Sequence, residues 1–260
     1  MSADPSIYGS ARLAEAYARH RPAVHPAVAE RLRRALVGTE GFDSVLDAGC
    51  GAGASTAAML PHARRVVGLD PFPAMLSYAA AMMPGASFVQ GRIESLPFGS
   101  GTFQLVTSAG AINYVDPDAA LKELSRVLRP GGWLALYDFG AGCRLTHEST
   151  LPQRFAQLRA SYPPPGGYAL DLQALPFAGS ALSPISHQAF EFAIPLTAPQ
   201  YVDYIMSETG IEAAIAAGAC SAGIRQTIEQ LFTPVFAGGV AEVVFDTVLV
   251  IAQRMPSMAS

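Results

Sequence analysis

Charge is scarce in this chain. Only 15% of its 260 residues are Asp, Glu, Lys or Arg, while 50% are hydrophobic. That balance belongs to a packed globule, not to a disordered segment. Basic charge is scarcer still: 17 Lys and Arg face 21 Asp and Glu, for a net charge of −4 and a pI of about 5.7. After Gly131 only Arg144, Arg154, Arg159, Arg225 and Arg254 remain. A nucleic-acid binder needs a basic face, so DNA and RNA are excluded as expected partners. The three cysteines, Cys50, Cys143 and Cys220, stand far apart. Their odd number gives no disulfide framework and their spacing no zinc site, which fits a reducing cytoplasm. No apolar run approaches the ~20 residues of a membrane span. Residues 1–10 lack the basic and apolar regions of a signal peptide. No internal repeat is visible.

What is present is alternation. Leu13, Tyr17 and His20 form a helical stripe that stops before Pro22, and a second helix opens near Pro26. Strands are then expected near 43–48, 65–70, 87–91, 104–108 and 133–139, with helices from about 53, over 73–83 and over 118–128. Strand and helix in turn predict a parallel sheet covered on both faces. The second half differs. Residues 149–160 and 198–236 read as helices, 187–196 and 241–253 as strands, the last two antiparallel. Residues 161–186 hold five prolines and the single charge of Asp171, and are expected as a packed loop over a pocket mouth or at a subunit contact. The expectation is an α/β fold: a seven-stranded, doubly wound, Rossmann-like sheet with a mainly helical cap in the C-terminal half. Residues 1–40 would be N-terminal cap helices, 41–140 the core, 141–240 a substrate cap with one core strand, and 241–260 the final strand and tail.

The informative stretch is VLDAGCGAGAS, residues 45–55. Gly49, Gly51 and Ala54 fit the dinucleotide pattern G-x-G-x-x-A. The same letters fit D-x-G-x-G-x-G, the turn that holds S-adenosylmethionine (SAM). Asp47 lies inside this turn, where a carboxylate repels a pyrophosphate and attracts an ammonium group. Asp70 follows 23 residues later at the end of the next strand, where a carboxylate can accept from ribose hydroxyls. Phe72 and Met75 could pack on an adenine ring, or simply belong to the core of the next helix.

Taken in order, VLDAGCGAG, VVGLDPFPAML and the segment GRIESLPFGSGTFQLVTSAGAINYVDPDAALKELSRVLRPGGWLAL resemble the motifs of class I SAM-dependent methyltransferases. The closest type is the small-molecule "methyltransferase 11" group, over residues 11–139. The RPGG turn at 129–132 carries the resemblance furthest. It implies that Asp47, Gly49 and Gly51 hold the methionine end of SAM, that Asp70 holds the ribose with Pro71 beside it, and that Phe72 and Met75 flank adenine. Arg92 and Ile93 take the position after the third strand where the family usually has an acid or amide. A guanidinium only donates, so backbone near Ile93, or Glu94, would read the adenine amine. Ser108, at the end of strand four, is a further expected cofactor contact. Gln104 replaces the family's frequent aspartate, a change expected to cost a structural hydrogen bond.

Many relatives carry histidine where this chain has Asn113 and Tyr114. Neither is a base at neutral pH, and no other histidine presents itself as one. Methyl transfer needs alignment more than a base. Asn113, Tyr114 and Tyr17 are therefore the expected catalytic residues, with aromatic faces that favour a sulfonium. Tyr8, Arg21, Tyr168, Tyr204 and Ser207 are the expected acceptor contacts. A small-molecule methyltransferase with no metal and no membrane partner, able to form a homodimer, is the leading expectation. A SAM cyclase that releases methylthioadenosine and an azetidine-2-carboxylate type of cyclic amino acid is second. A non-catalytic SAM-binding partner protein is third. A nicotinamide dehydrogenase is disfavoured by Asp47 and by the RPGG turn.

Overall fold

The computed structural model describes residues 5–37, 40–147, 150–165, 171–236 and 238–256. A short 3-10 turn, Pro5–Gly9, leads into α1 (Ala11–His20), whose Ser10 hydroxyl caps the Leu13 N–H. Pro26 sits in the first turn of α2 (His25–Leu36), where its missing N–H costs nothing. The core follows as β1 (Phe42–Ala48), α3 (Ala54–Met59), β2 (Ala63–Asp70), α4 (Pro73–Met82), β3 (Ser87–Gln90), β4 (Phe103–Ala109), α5 (Pro117–Val127) and β5 (Leu128–Phe139). Strands β1 and β2 are buried on both faces over most of their length, which is why they read as continuous apolar runs. Then come β6 (Arg144–Leu145), α6 (Leu151–Ser161), β7 (Leu182–Thr197), α7 (Ala198–Ile205), α8 (Thr209–Ala216), α9 (Ser221–Phe232) and β8 (Val240–Arg254).

The sheet order is β3-β2-β1-β4-β5-β8-β6, with β7 paired to β8. The first five strands run parallel, and β8 is antiparallel to both β5 and β7. One apolar layer packs α2 and α3 against β1, β4, β5 and β8, through Val28, Leu32, Met59, Leu105 and Leu249. The opposite layer packs α5, through Leu121 and Leu124, with Leu172, Leu175 and Phe177.

Three details differ from the sequence reading. The sheet has eight strands, not seven; the extra one is the two-residue β6, which carries no periodicity to read. Residues 129–132 are not a turn before a strand. They loop out of β5, whose register jumps from Phe103↔Leu128 to Leu105↔Trp133. And β7 begins at Leu182, inside the segment expected to be a loop, with a bulge between Pro184 and Ser186. Gln104 also keeps a structural bond: its Oε1 accepts the Asp43 N–H at 2.7 Å.

The ribbon of β7 and β8 positions the cap. Residues 247–253 of β8 pair with β5, and its first half runs on past the carboxyl end of β5. There Val243 and Phe245 pack under Tyr201, Ile205, Ile228 and Phe232 of α7 and α9. The cap helices thus stand at the end of the sheet where ligands of open α/β folds bind.

Candidate functional site

The site begins at the turn after β1. The Gly49 and Cys50 N–H groups both donate to the Leu69 carbonyl, at 2.7 and 2.9 Å, and pull the turn against the end of β2. Gly49 has φ 78° and Gly51 φ 54°, conformations that cost little only without a Cβ. The two differ in purpose. A Cβ on Gly49 would collide with the Ala111 side chain, whereas a Cβ on Gly51 would meet nothing within 4 Å. Gly49 is required by packing; Gly51 leaves bare backbone facing open space. Asp70 is tied to that backbone. Its Oδ2 accepts the Gly51 N–H and its Oδ1 the Phe72 N–H, each at 2.9 Å. Burial raises the Asp70 pKa, the two N–H bonds pull it back in part, and the Asp47 charge adds to the rise. Each carboxylate oxygen still has acceptor capacity for a ligand hydroxyl.

Asp47 does not meet the expected ammonium group directly. It is fully buried, and its carboxylate accepts from the hydroxyls of Ser55 (2.6 Å), Thr56 (2.7 Å) and Thr107 (3.1 Å). Burial raises its pKa against these three bonds. It fastens the start of α3 and the middle of β4 to the end of β1. Any effect on a ligand acts through the field under the turn.

Beyond Asp70, Pro71 offers its carbonyl to Gln90. The Phe72 ring is half-buried, 6.2 Å from that of Tyr8. Met75 is instead a core residue, packed with Leu13, Ala14 and Ala52 between α1 and α4, and is not free to cover an adenine. The Ile93 side chain likewise belongs to the core. Arg92 is exposed and pairs with Glu94 Oε1 at 3.0 Å. The other oxygen of that carboxylate, Glu94 Oε2, is buried with no hydrogen-bond partner among the described residues. A buried, unmatched acceptor near the ends of β2 and β3 suits the amine of an adenine.

The expected catalytic residues do come together. Tyr8 and Tyr114 share a hydroxyl–hydroxyl bond of 2.7 Å, and the Tyr8 ring lies edge-on to Tyr17 and Tyr114, at 5.9 and 5.3 Å. Burial pushes the Tyr114 hydroxyl up to about 12 and raises that of Tyr8 further, so both stay neutral. Arg21 donates to the Tyr17 hydroxyl at 2.8 Å, and its guanidinium lies 4.2 Å from the Tyr17 ring centre. Asn113 is buried. Its Nδ2 donates to Gly110 O and to Asp138 Oδ2, both at 3.0 Å, and since both partners only accept, the amide orientation is fixed. Its Oδ1 is buried and unmatched among the described residues, as is the Ser108 hydroxyl on β4.

The acceptor set is only partly assembled. Tyr204 and Ser207 do not face a pocket: the Tyr204 hydroxyl donates to Ala141 O at 3.0 Å and the Ser207 hydroxyl to Tyr204 O at 2.6 Å. Both are buried in the cap because α7 turns its polar ends inward to satisfy neighbouring carbonyls. Tyr168 lies outside the described residues. Glu208 sits 3.6 Å from both Arg21 and Arg159, at the rim of a depression lined by Phe155, Leu158, Tyr162 and Ile211. Asp138 orients Asn113 from the end of β5. His25, buried against β5, shares a 2.8 Å bond with the Tyr137 hydroxyl; burial, and then the charge of Arg21, lower its pKa to about 4. Only the rule that sites lie at strand carboxyl ends could have pointed to Asp138.

The sheet order and the glycine turn together define a Rossmann-like α/β fold. Residues 46–136 match the family model described as a methyltransferase domain. An uncharacterised methyltransferase, sll0829 of Synechocystis sp., is 41% identical over 97 residues, which cover 36% of this chain and 46% of that protein. The chain spans about half the length of the curated relatives it matches first. Among solved structures, the YcgJ protein of Bacillus subtilis matches over 90% of this chain and all of its own, with TM-score 0.56 and 20% identity. Geranyl diphosphate C-methyltransferase of Streptomyces coelicolor, solved with S-adenosylhomocysteine, matches over 88% of this chain and 76% of its own, with TM-score 0.52 and 19% identity. Among the described residues no helix is long and apolar enough to cross a membrane, and no group of three His, Cys, Asp or Glu side chains could hold a metal.

Proposed function

We propose that this chain binds SAM and transfers its methyl group to a small-molecule acceptor. The observation that carries the reading is the bare backbone at Gly51, open to space and clamped by its N–H to the Asp70 carboxylate. Gly49–Gly51 would hold the methionine end, Asp70 the ribose hydroxyls and Glu94 Oε2 the adenine amine. The Asp47 carboxylate under the turn favours a cationic ligand end over a pyrophosphate. SAM supplies an activated methyl on a sulfonium, which leaves as a neutral thioether. The protein's share is alignment and exclusion of water. Tyr8, Tyr17 and Tyr114 provide neutral aromatic faces that suit a sulfonium, and Asn113, fixed by Asp138, holds the acceptor through its free Oδ1. An acceptor group with an O–H or N–H satisfies that oxygen.

Mass spectrometry of the products tests the reading. Incubation with SAM and an acceptor panel should yield S-adenosylhomocysteine and a product heavier by one methylene. Methylthioadenosine formed from SAM alone would instead identify a cyclase, and SAM binding without turnover a binding protein. Asp70→Ala should weaken SAM binding in calorimetry by about tenfold or more, since it removes charge-assisted bonds. Unchanged affinity would remove Asp70 from the site.

A further inference from the structure

Strand β7 is 16 residues long and pairs on one side only, with β8. Which of its backbone groups face outward follows from register. On β8, the carbonyls of Glu242 and Asp246 accept from Thr146 and Gly140, on the side of β6 and β5. Even-numbered residues of β8 therefore bond toward β5 and odd-numbered ones toward β7. The odd residues Val243, Phe245, Thr247 and Leu249 stand opposite Ile194, Phe192, Phe190 and Gln188. The backbone groups of His187, Ala189, Glu191 and Ala193 consequently point away from the sheet. The two prolines obey the same rule. Pro195 falls on an outward position, and Pro184, opposite the even Ala252, does too, so neither takes a bond from the ladder. Among the described residues, nothing outside β8 pairs with the backbone of 186–194.

An edge of this kind is a template for another strand. Proteins that guard such edges place lysines or prolines along them. Here the prolines stand at the ends, there is no lysine, and Glu191 is the one acidic or basic charge of the strand. The outward face is also self-complementary. In a two-fold antiparallel pairing about Ala189, His187 of one copy lies opposite Glu191 of the other, twice. Ala189 lies opposite itself, and the regular stretch ends at the bulge before Ser186. A pairing about Glu191 would set two carboxylates, each held by Arg144 at 2.7 Å, face to face and His187 opposite Pro195.

We propose that β7 is a homodimer interface, joining two copies edge to edge about Ala189 into one continuous sheet. The interface is small, so the dimer should dissociate in the micromolar range. It leaves the carboxyl ends of the parallel strands uncovered in both copies.

Light scattering on the full chain, from micromolar to hundreds of micromolar, tests this. The wild type should approach twice 27.2 kDa as concentration rises. Ala189→Pro removes an outward N–H without breaking the ladder to β8, and should leave a folded monomer by circular dichroism. His187→Glu, which sets a carboxylate opposite Glu191, should raise the dimer dissociation constant about tenfold or more, the scale of like charges directly opposed. Ala189→Cys, with Cys143 and Cys220 replaced by serine, should form a disulfide-linked dimer on mild oxidation, since facing residues at the axis lie about 5.5 Å apart between Cα atoms. A wild type that stays monomeric throughout would overturn the proposal and leave the edge to a strand of another protein. A dimer whose dissociation constant is unmoved by both Ala189→Pro and His187→Glu, or an Ala189→Cys variant that does not crosslink, would overturn it equally.

Discussion

At the scale of single residues, Asn113 is a tightly held group of the proposed site. Its Nδ2 is held by Gly110 O and Asp138, so its Oδ1 is presented in one orientation. Asn113→Ala should lower kcat by about a hundredfold, the loss expected when an aligned contact goes, with the SAM dissociation constant nearly unchanged. Asn113→His, tested in the same pH–rate series, should give no higher turnover at neutral pH; a gain with a new limb near ~6.5 would show that a base is useful here. Glu94→Ala should weaken SAM and sinefungin in parallel, by about fivefold to tenfold, because it removes one acceptor from the shared adenine. Equal binding by wild type and variant would leave Glu94 Oε2 without that role. The glycine turn and Asp70 were legible in the sequence because backbone geometry demands those residue types at that spacing. Asp138 was not, because its partner becomes a neighbour only when Ala109 pairs with Tyr137 across β4 and β5. The burial of Met75 and Asp47 was not legible for the opposite reason: a motif gives position along the chain, not the direction in which burial turns a side chain.

At the scale of elements, the parallel core could be read off because each strand is an apolar run closed by a turn signal. The cap could not. The segment 161–186 looks like loop throughout because prolines break periodicity, yet β7 starts within it at Leu182. Pro184 is tolerated there since it sits on an edge strand facing outward. The ion pairs that tie the cap to the end of α1 are invisible to hydrophobic pattern. Glu208, just before α8, faces Arg21, just after α1, and Arg159 from α6. Arg21 is raised above its usual range, the attractions of Tyr17 and Glu208 outweighing its burial. Glu208→Gln would leave two guanidinium groups beside each other without their carboxylate. A loss on the order of 2 kcal/mol is expected for this partly exposed triad, seen as a fall of about 4–8 °C in Tm. Acceptor KM should rise with it, since Arg21 holds Tyr17. A Tm within experimental error of the wild type would mean that apolar contacts alone carry the cap.

At the scale of the whole molecule, stability should depend on pH through His25. In the folded chain this ring is buried against Tyr137 and Phe139, and its pKa lies at about 4, against ~6.5 in an unfolded chain. Between those values the unfolded state binds more protons, so stability rises with pH across the window. The penalty is absent above ~7 and complete below about 4, where it amounts to about 3 kcal/mol. Asp47 and Asp70 act in the other sense. Burial raises both above the usual carboxylate value, so the folded state holds the extra protons as pH falls toward ~4, and their contribution partly offsets the loss at the acid end. A comparison with His25→Gln, which keeps a partner for the Tyr137 hydroxyl, separates the two effects. Urea unfolding at a series of pH values should give a wild-type minus variant difference that is flat above ~7 and falls by up to about 3 kcal/mol toward pH 4. A flat difference over the whole range would mean that His25 titrates as it does in solvent, and that α2 does not seal the layer between itself and β5.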